Sequence, residues 1–265
     1  MTALDSQSLP ANIATYLQNA KYEYVNDGFS PAQIYRVHTA EQVAYLKIAS
    51  HVSRDSLRDE QVALQWLQGK ITVPRPLAYA TDDTYEYLLT APINGIHPMH
   101  DNFSIAPEKR VSLFASIARK MHAIPHGNDL PLRTHADYLV RVKTIHADSQ
   151  DDVVDEHLSI MTDLLPTLPD STLVVTHGDF YPVNMRVHPE TSAFSGVLDV
   201  GRLALADPYL DLAPLADAIG WHMDTKWLPA LFTAYDSPYE NDKLRFYQSY
   251  HKLMAHYTSS GKKAI

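Results

Sequence analysis

The sequence predicts an α+β fold in two lobes: a strand-rich N-terminal part with an antiparallel sheet and one helix, then a mostly helical part that includes a β-hairpin. Three observations carry this. Between residues 22 and 48, short runs rich in tyrosine, valine and isoleucine alternate with turn residues. From residue 107 onward, apolar residues recur at helical spacing. Between them lies a connector with a proline and a glycine, Thr90–Gly95. A boundary after residue 91 gives lobes of 1–91 and 92–265, and 265 residues suit one large domain or two lobes.

Taken in order, strands are expected at Tyr22–Val25, Ala32–Val37 and Gln42–Ile48, with a turn at Asn26-Asp27-Gly28. Ser53–Gln68 reads as a helix. Leu57, Gln61, Leu64 and Gln68 share a face, Glu60 lies alongside, and Gly69 suits the C′ position. Val73-Pro74-Arg75-Pro76 must be extended, because a residue before proline is excluded from the helical region. Tyr85–Leu89 reads as another strand. Helices follow at Pro107–Ile124, Asp137–Ile145, His157–Leu165, Pro208–Gly220, Lys226–Ala234 and Asn241–His256. In the first of these Val111, Phe114, Ala115, Ala118, Met121 and His122 mark the period. Asp207-Pro208 reads as an N-cap with proline at N1.

Composition excludes several classes. The net charge is -9, which argues against nucleic-acid binding and suits a cationic small-molecule partner. There is no cysteine, so no disulfide framework, thiolate metal site or cysteine nucleophile exists. No apolar run is long enough to span a membrane, and the first residues lack the pattern of a secretory signal. The expectation is a cytoplasmic protein, a monomer or weak dimer.

The densest chemistry lies in THGDFYPVNMRV, from Thr176 to Val187. A short apolar run, Leu173–Val175, precedes it. Met185–Val187 and Phe194–Leu198 flank a polar turn and read as a hairpin. Centred between Thr191 and Ser192, that hairpin would set Asn184 opposite Asp199 at its open end. Cross-strand neighbours lie about 4.5–5.5 Å apart, close enough to share one divalent cation. Magnesium takes hard oxygen ligands, so an amide oxygen, a carboxylate and a nucleotide's phosphates suffice. Asp179 remains, placed to accept a hydroxyl proton. Base, metal amide and metal carboxylate make a phosphoryl-transfer set.

Such chemistry needs a cation on the phosphates. Lys47 sits in the apolar strand Ala44-Tyr45-Leu46-Lys47-Ile48, and a buried ammonium requires an acidic partner. Glu60, beside the apolar stripe of its helix, is that partner. Tyr45 shares a strand face with Lys47 and is placed to lie against an adenine ring. No GxGxxG or GxxxxGK[ST] loop is present. The segment Asp27–Ala32 stands in its place, either as a plain turn or with Ser30 and backbone N–H groups as phosphate donors.

With these residues in view, the chain resembles the aminoglycoside phosphotransferases, the 3′-type kinases and their streptomycin-modifying relatives. The likeness is densest over VVTHGDFYPVNMRVHPETSAFSGVLDVGRLALADPYLDLA, Val174–Ala213. It includes DGFSPAQIYRV, AYLKIA, DEQVALQWLQGKITVPRP and YLLTAPINGI. The resemblance implies a protein-kinase-like two-lobed fold with an N-terminal nucleotide-binding lobe and a C-terminal catalytic and substrate-binding lobe. It implies transfer of the γ-phosphoryl of ATP, or of GTP, with Mg2+, to a hydroxyl of an aminoglycoside. Asp179 then matches the base, and Asn184 and Asp199 the metal ligands. Lys47 matches the phosphate-binding lysine, Glu60 its partner and Tyr45 the stacking aromatic. The backbone of Thr90, Ala91 and Ile93 matches the adenine-binding connector, and Arg202 an arginine at the substrate edge. Asp211 resembles a buried aspartate that supports the HGD loop.

The match weakens where the acceptor docks. His251-Lys252 stands where adjacent acids are expected, and Trp221-His222 where another acidic pair is expected. The acidic cluster Asp148, Asp151, Asp152, Asp155 and Glu156 remains as a wall for a cationic acceptor, or as a solvated helix start. A kinase of a less cationic small alcohol is therefore the alternative. A nucleotide-binding module without turnover is disfavoured, since every expected catalytic position is filled. A hydrolase built on Gly28–Ala32 with His177 lacks the last glycine of GxSxG.

Overall fold

The computed structural model describes residues 9–25, 32–51, 53 and 55–259. The expected turn at Asn26-Asp27-Gly28 and the expected phosphate donor Ser30 lie outside the described residues. The described chain forms two compact units. One runs through Asn94 and also takes Gly196–Arg202; the other holds Gly95–Ser195 and the chain from Leu203 onward.

The first unit opens with a single helical turn, α1 (Ala11–Ala14). Strands β1 (Lys21–Val25), β2 (Gln33–His38) and β3 (Val43–Ser50), helix α2 (Leu57–Leu67), and strands β4 (Pro76–Thr81) and β5 (Tyr85–Thr90) follow. The sheet runs β1-β2-β3-β5-β4 and every neighbour is antiparallel. Alternation decides its faces. On β3, Ala44, Leu46 and Ile48 are buried while Tyr45 and Lys47 take the other face. Ile13, Leu17, Val37, Leu46 and Leu89 form one core, each side chain contributing about 1.5–3 kcal/mol by burial.

Helix α2 starts at Leu57 rather than Ser53, because Ser56 is the cap. Its Oγ accepts from the Arg58 N–H at 3.0 Å and donates to Glu86 Oε1 at 3.0 Å. Glu86, on β5, also accepts from the Leu57 N–H at 2.9 Å and the Tyr79 hydroxyl at 2.7 Å. Burial alone would raise its pKa, but these donors hold the carboxyl below its ordinary value. The helix is thus fastened to the sheet at its start, and Gly69, at φ +76°, ends it as expected. Strand β4 was not anticipated. Its Pro76 stands at the first strand position, where proline is tolerated, and a register shift follows between Pro76 and Ala78.

In the second unit the helices are α3 (Pro107–His122), α4 (His135–Ile145), α5 (Asp152–Leu164), α6 (Tyr209–His222), α7 (Leu228–Tyr235) and α8 (Asn241–Ser259). Two short sheets pair β6 (Val174–Thr176) with β9 (Ala204–Ala206), and β7 (Met185–Val187) with β8 (Phe194–Val197). Helix α8 packs on α4, α5 and α6, and α3 packs on α7. Helix α6 is the centre: every residue from Tyr209 to Ile219 is buried.

Three local expectations change. Helix α5 begins well before His157, because Asp151 caps it through the Val153 N–H at 2.9 Å. Asp207 does not cap a proline at N1: Pro208 is itself the N-cap, and Asp207 accepts from the Tyr209 N–H at 2.8 Å. Asp207 is also buried beside Ser171, His135 and Lys243, with Lys243 Nζ at 3.1 Å. The hairpin turn closes earlier than its expected centre. The His188 N–H bonds the Ala193 carbonyl at 2.8 Å, which centres the turn between Glu190 and Thr191. Both Asn184 and Asp199 lie beyond the ends of β7 and β8, so no ladder pairing sets them opposite each other.

Candidate active site

Within the first unit, Lys47 holds two carboxylates. Its Nζ lies 2.7 and 2.9 Å from the oxygens of Glu60 and 3.0 Å from Asp199 Oδ1. Burial by itself would lower the pKa of this ammonium. The Asp199 and Glu60 charges outweigh it and raise the value, so Lys47 stays protonated at any physiological pH. Asp199 takes a left-handed backbone conformation, φ +60°. The segment that carries it is tied to this unit by the Val197 N–H on the Thr72 carbonyl, 3.0 Å. A bidentate ion pair adds a second tie. Arg202 donates to Asp55 through Nε at 3.1 Å and Nη2 at 2.7 Å, so its guanidinium is already engaged.

Tyr45 pairs across the ladder with Thr90, which brings the connector's start to the face that Lys47 shares. The Ala91 N–H is bonded to the Arg75 carbonyl at 2.9 Å, and Pro92 has no N–H to offer.

In the second unit, β6 delivers the chain into His177-Gly178-Asp179. Asp211 anchors this loop from α6. Its Oδ2 accepts from the His177 N–H at 2.7 Å and its Oδ1 from the Gly178 N–H at 2.8 Å. Gly178 has φ +82°, a conformation that suits glycine. His122 Nε2 lies 3.0 Å from Asp211 Oδ2, and its Nδ1 lies 2.6 Å from the Tyr235 hydroxyl. An ionised carboxylate only accepts, so Nε2 carries a proton and donates to Asp211. Burial alone would raise the Asp211 pKa; the donors from His122 and His177 hold it below the usual carboxylate range.

Asp179 is half-buried at the loop's end, its N–H on His177 Nδ1 at 3.3 Å. Its carbonyl accepts the Tyr181 N–H at 2.9 Å and Asn184 Nδ2 at 2.8 Å. That second bond fixes the Asn184 amide so that Oδ1 is the atom left for a cation. Asn184 Oδ1 in the second unit and the Asp199 carboxylate in the first are each hard oxygens of the kind magnesium takes, and magnesium needs few protein ligands because it keeps its waters. Among the described residues no group of three or more His, Cys, Asp or Glu could hold a metal by itself.

His251, expected to set a cation against the acceptor, is instead buried and structural. Pro214 lies inside α6 and has no N–H for the Leu210 carbonyl. His251 Nε2 bonds that carbonyl at 2.8 Å, so the imidazole replaces the missing helical donor. Lys252 is exposed. Asp155 and Glu156 are exposed near the start of α5. His122 and Tyr235 were not anticipated as parts of the site. The available signal was a histidine inside the apolar stripe of α3, where a buried imidazole needs partners.

A lysine held by a helix glutamate and an aspartate, together with an HGD loop pinned by a buried carboxylate, defines a phosphotransferase of kinase-like fold. A profile of the "Phosphotransferase enzyme family" matches residues 21–247, and the chain belongs to that family. It is 30% identical over 255 residues to an aminoglycoside 3′-phosphotransferase of Streptomyces fradiae, covering 86% of this chain and 93% of that one. It is also 30% identical over 263 residues to an aminoglycoside 3′-phosphotransferase of Escherichia coli, covering 93% and 95%. Among solved structures, an aminoglycoside 3′-phosphotransferase of type VIII superposes with a TM-score of 0.71 at 24% identity, over 91% of this chain and 97% of that one. A Streptomyces rimosus aminoglycoside phosphotransferase in complex with ADP and streptomycin superposes with a TM-score of 0.70 at 22% identity, over 88% and 92%. The fold is therefore the α+β, protein-kinase-like one that the resemblance implied. No helix among the described residues is long and apolar enough to cross a membrane.

Proposed function

We propose that this protein is an antibiotic kinase, moving the γ-phosphoryl of ATP or GTP to a hydroxyl of an aminoglycoside in the cytoplasm. The observation that carries the reading is the pinned loop. Asp211 fixes the His177 and Gly178 amides while the Asp179 carbonyl fixes the Asn184 side chain. One short segment thereby holds both the base and the metal amide in place. Asp179 takes the acceptor's hydroxyl proton, the acceptor oxygen bonds to the γ-phosphorus, and the bond from that phosphorus to its bridging oxygen breaks. Asn184 Oδ1 and Asp199 would hold Mg2+, which would supply charge neutralisation on the phosphates. Lys47 contacts the phosphates and Glu60 orients it. Ser30 donates to the phosphates.

Tyr45 lies against the adenine. The connector runs Thr90, Ala91, Pro92, Ile93. With the Ala91 N–H taken by Arg75 and Pro92 lacking one, Ile93 supplies the amide to the ring. Arg202, steadied by Asp55, marks the acceptor's edge. Asp155 and Glu156 contribute negative potential toward a cationic acceptor. Support for this acceptor class comes from relatives named as aminoglycoside 3′-phosphotransferases and from a structural neighbour holding streptomycin. The exposed Lys252 supports the alternative, a less cationic small alcohol.

The test incubates the protein with ATP, magnesium and either kanamycin or streptomycin, and reads a mass gain of one phosphoryl group on the antibiotic. Product with wild type, and loss of turnover in Asp179→Ala with nucleotide binding kept, is the expected result. No product with either antibiotic, but turnover on an uncharged sugar alcohol, moves the function to the alternative.

A further inference from the structure

Trp221 is 63% exposed at the end of α6, an unusual degree for the largest side chain. It is not loose. Its ring lies parallel to Tyr181, with an interplanar angle of 6° and centroids 6.0 Å apart. Tyr181 is in turn seated edge-on against His251 at 6.0 Å. One indole face is thus backed by a tyrosine braced on a buried histidine, and the exposure belongs to the rest of the ring.

Tyr181 ties this stack to the catalytic loop. Its N–H bonds the Asp179 carbonyl at 2.9 Å, and its own carbonyl accepts the Asn184 N–H at 2.9 Å. The stack is therefore positioned by the same short segment that positions the base and the metal amide. One turn before Trp221, on the same side of α6, Asp217 is buried with no partner on Oδ2. The surroundings are thus aromatic and weakly acidic, where a pair of exposed carboxylates was expected.

We propose that Trp221 is the stacking platform for a ring of the phosphoryl acceptor, taking the apolar C–H face of a saturated amino sugar against its indole. This rests on the proposed kinase reading and names how that site selects its substrate. An aromatic face attracts an ammonium-bearing ring through its quadrupole. It does so without the strong salt sensitivity of a carboxylate pair, because contact area carries much of the affinity. Trp221 is accordingly a specificity-determining residue, and Tyr181 positions it.

The experiment uses two readouts on the full chain with streptomycin and kanamycin as probes. In a Trp66→Phe/Trp227→Phe background, Trp221 is the sole indole, and its fluorescence is titrated with each antibiotic. Saturable quenching is expected. Steady-state kinetics then compare Trp221→Ala and Trp221→Phe. The alanine variant should raise the acceptor KM on the order of tenfold, the phenylalanine variant should recover most of it, and the nucleotide KM should stay put. An unchanged acceptor KM in Trp221→Ala, or silent fluorescence at saturating acceptor in a protein that turns over, overturns the platform. Should the wild type phosphorylate neither antibiotic, the kinase reading for aminoglycosides fails; saturable quenching would then still support a sugar platform, and its absence would overturn it.

Discussion

Helix α6 carries two buried carboxylates on either side of Pro214, and the two are treated in opposite ways. Asp211 receives two backbone N–H groups and His122, and its pKa falls below the usual range. Asp217 receives Gln248 Nε2 at 2.6 Å on one oxygen and nothing on the other. Burial pushes its pKa up to about 6, against the weaker pull of Gln248 and Lys252. Burial is common to both, so the number of donors decides the charge state. The first carboxylate is a fastener, charged and saturated. The second, with its pKa raised to about 6, is neutral below that pH and charged above it.

The largest break in this comparison is Asp211→Ala. It leaves the His177 and Gly178 amides and His122 without their acceptor in the interior, and should cost about 3–5 kcal/mol. Urea denaturation reads the loss, and turnover should vanish with it. A loss under about 1 kcal/mol would show the loop is held by other means. Next in size is the bond that Pro214 makes necessary. His251→Leu should destabilise by about 1–2 kcal/mol by orphaning the Leu210 carbonyl. In a Pro214→Ala background, which restores a helical N–H, the same change should cost less. Equal costs in the two backgrounds would separate Pro214 from His251.

The smallest effect is a gain. The folded pKa of Asp217 lies above its unfolded value near 3.8, so its favourable contribution is complete at low pH and is lost as pH rises through about 6. The shift of about two units limits the charge-burial penalty to roughly 3 kcal/mol. Asp217→Asn removes that penalty but leaves an amide N–H2 partly unpaired, so a net gain of about 1 kcal/mol is expected at pH 8 and none at pH 4. Asp211 has the reverse sign. Its depressed pKa gives stability above the unfolded value that is lost as pH falls through the folded one. Thermal melts across pH distinguish the two variants, and a pH-independent Asp217→Asn effect would remove the raised pKa from the account.

Much of this was legible in the chain, for reasons that differ by residue. Lys47 in an apolar strand and Glu60 beside an apolar stripe each pose a charge-burial problem that the other solves, and the 2.7 Å pair is that solution. The support given by Asp211 followed only from resemblance. Strands β4 and β9 were missed because one begins at a proline and the other, Ala204-Leu205-Ala206, has no β-branched or aromatic residue to mark it as a strand. The hairpin centre was displaced because symmetry of apolar runs does not determine turn geometry. The role of His251 was hidden because it depends on Pro214, far away in sequence, and no local pattern links a helix proline to a distant imidazole.

Gly196–Arg202 leaves one unit to complete the other, and this makes the chain a poor candidate for division at residue 94. A fragment ending there would keep Lys47 and Glu60 but surrender Asp199 and the clamp between Arg202 and Asp55. Shuffling the first 94 residues between relatives therefore has to carry a seven-residue stitch from the later part of the chain, or the graft inherits a lysine with one of its two counter-charges supplied by a stranger.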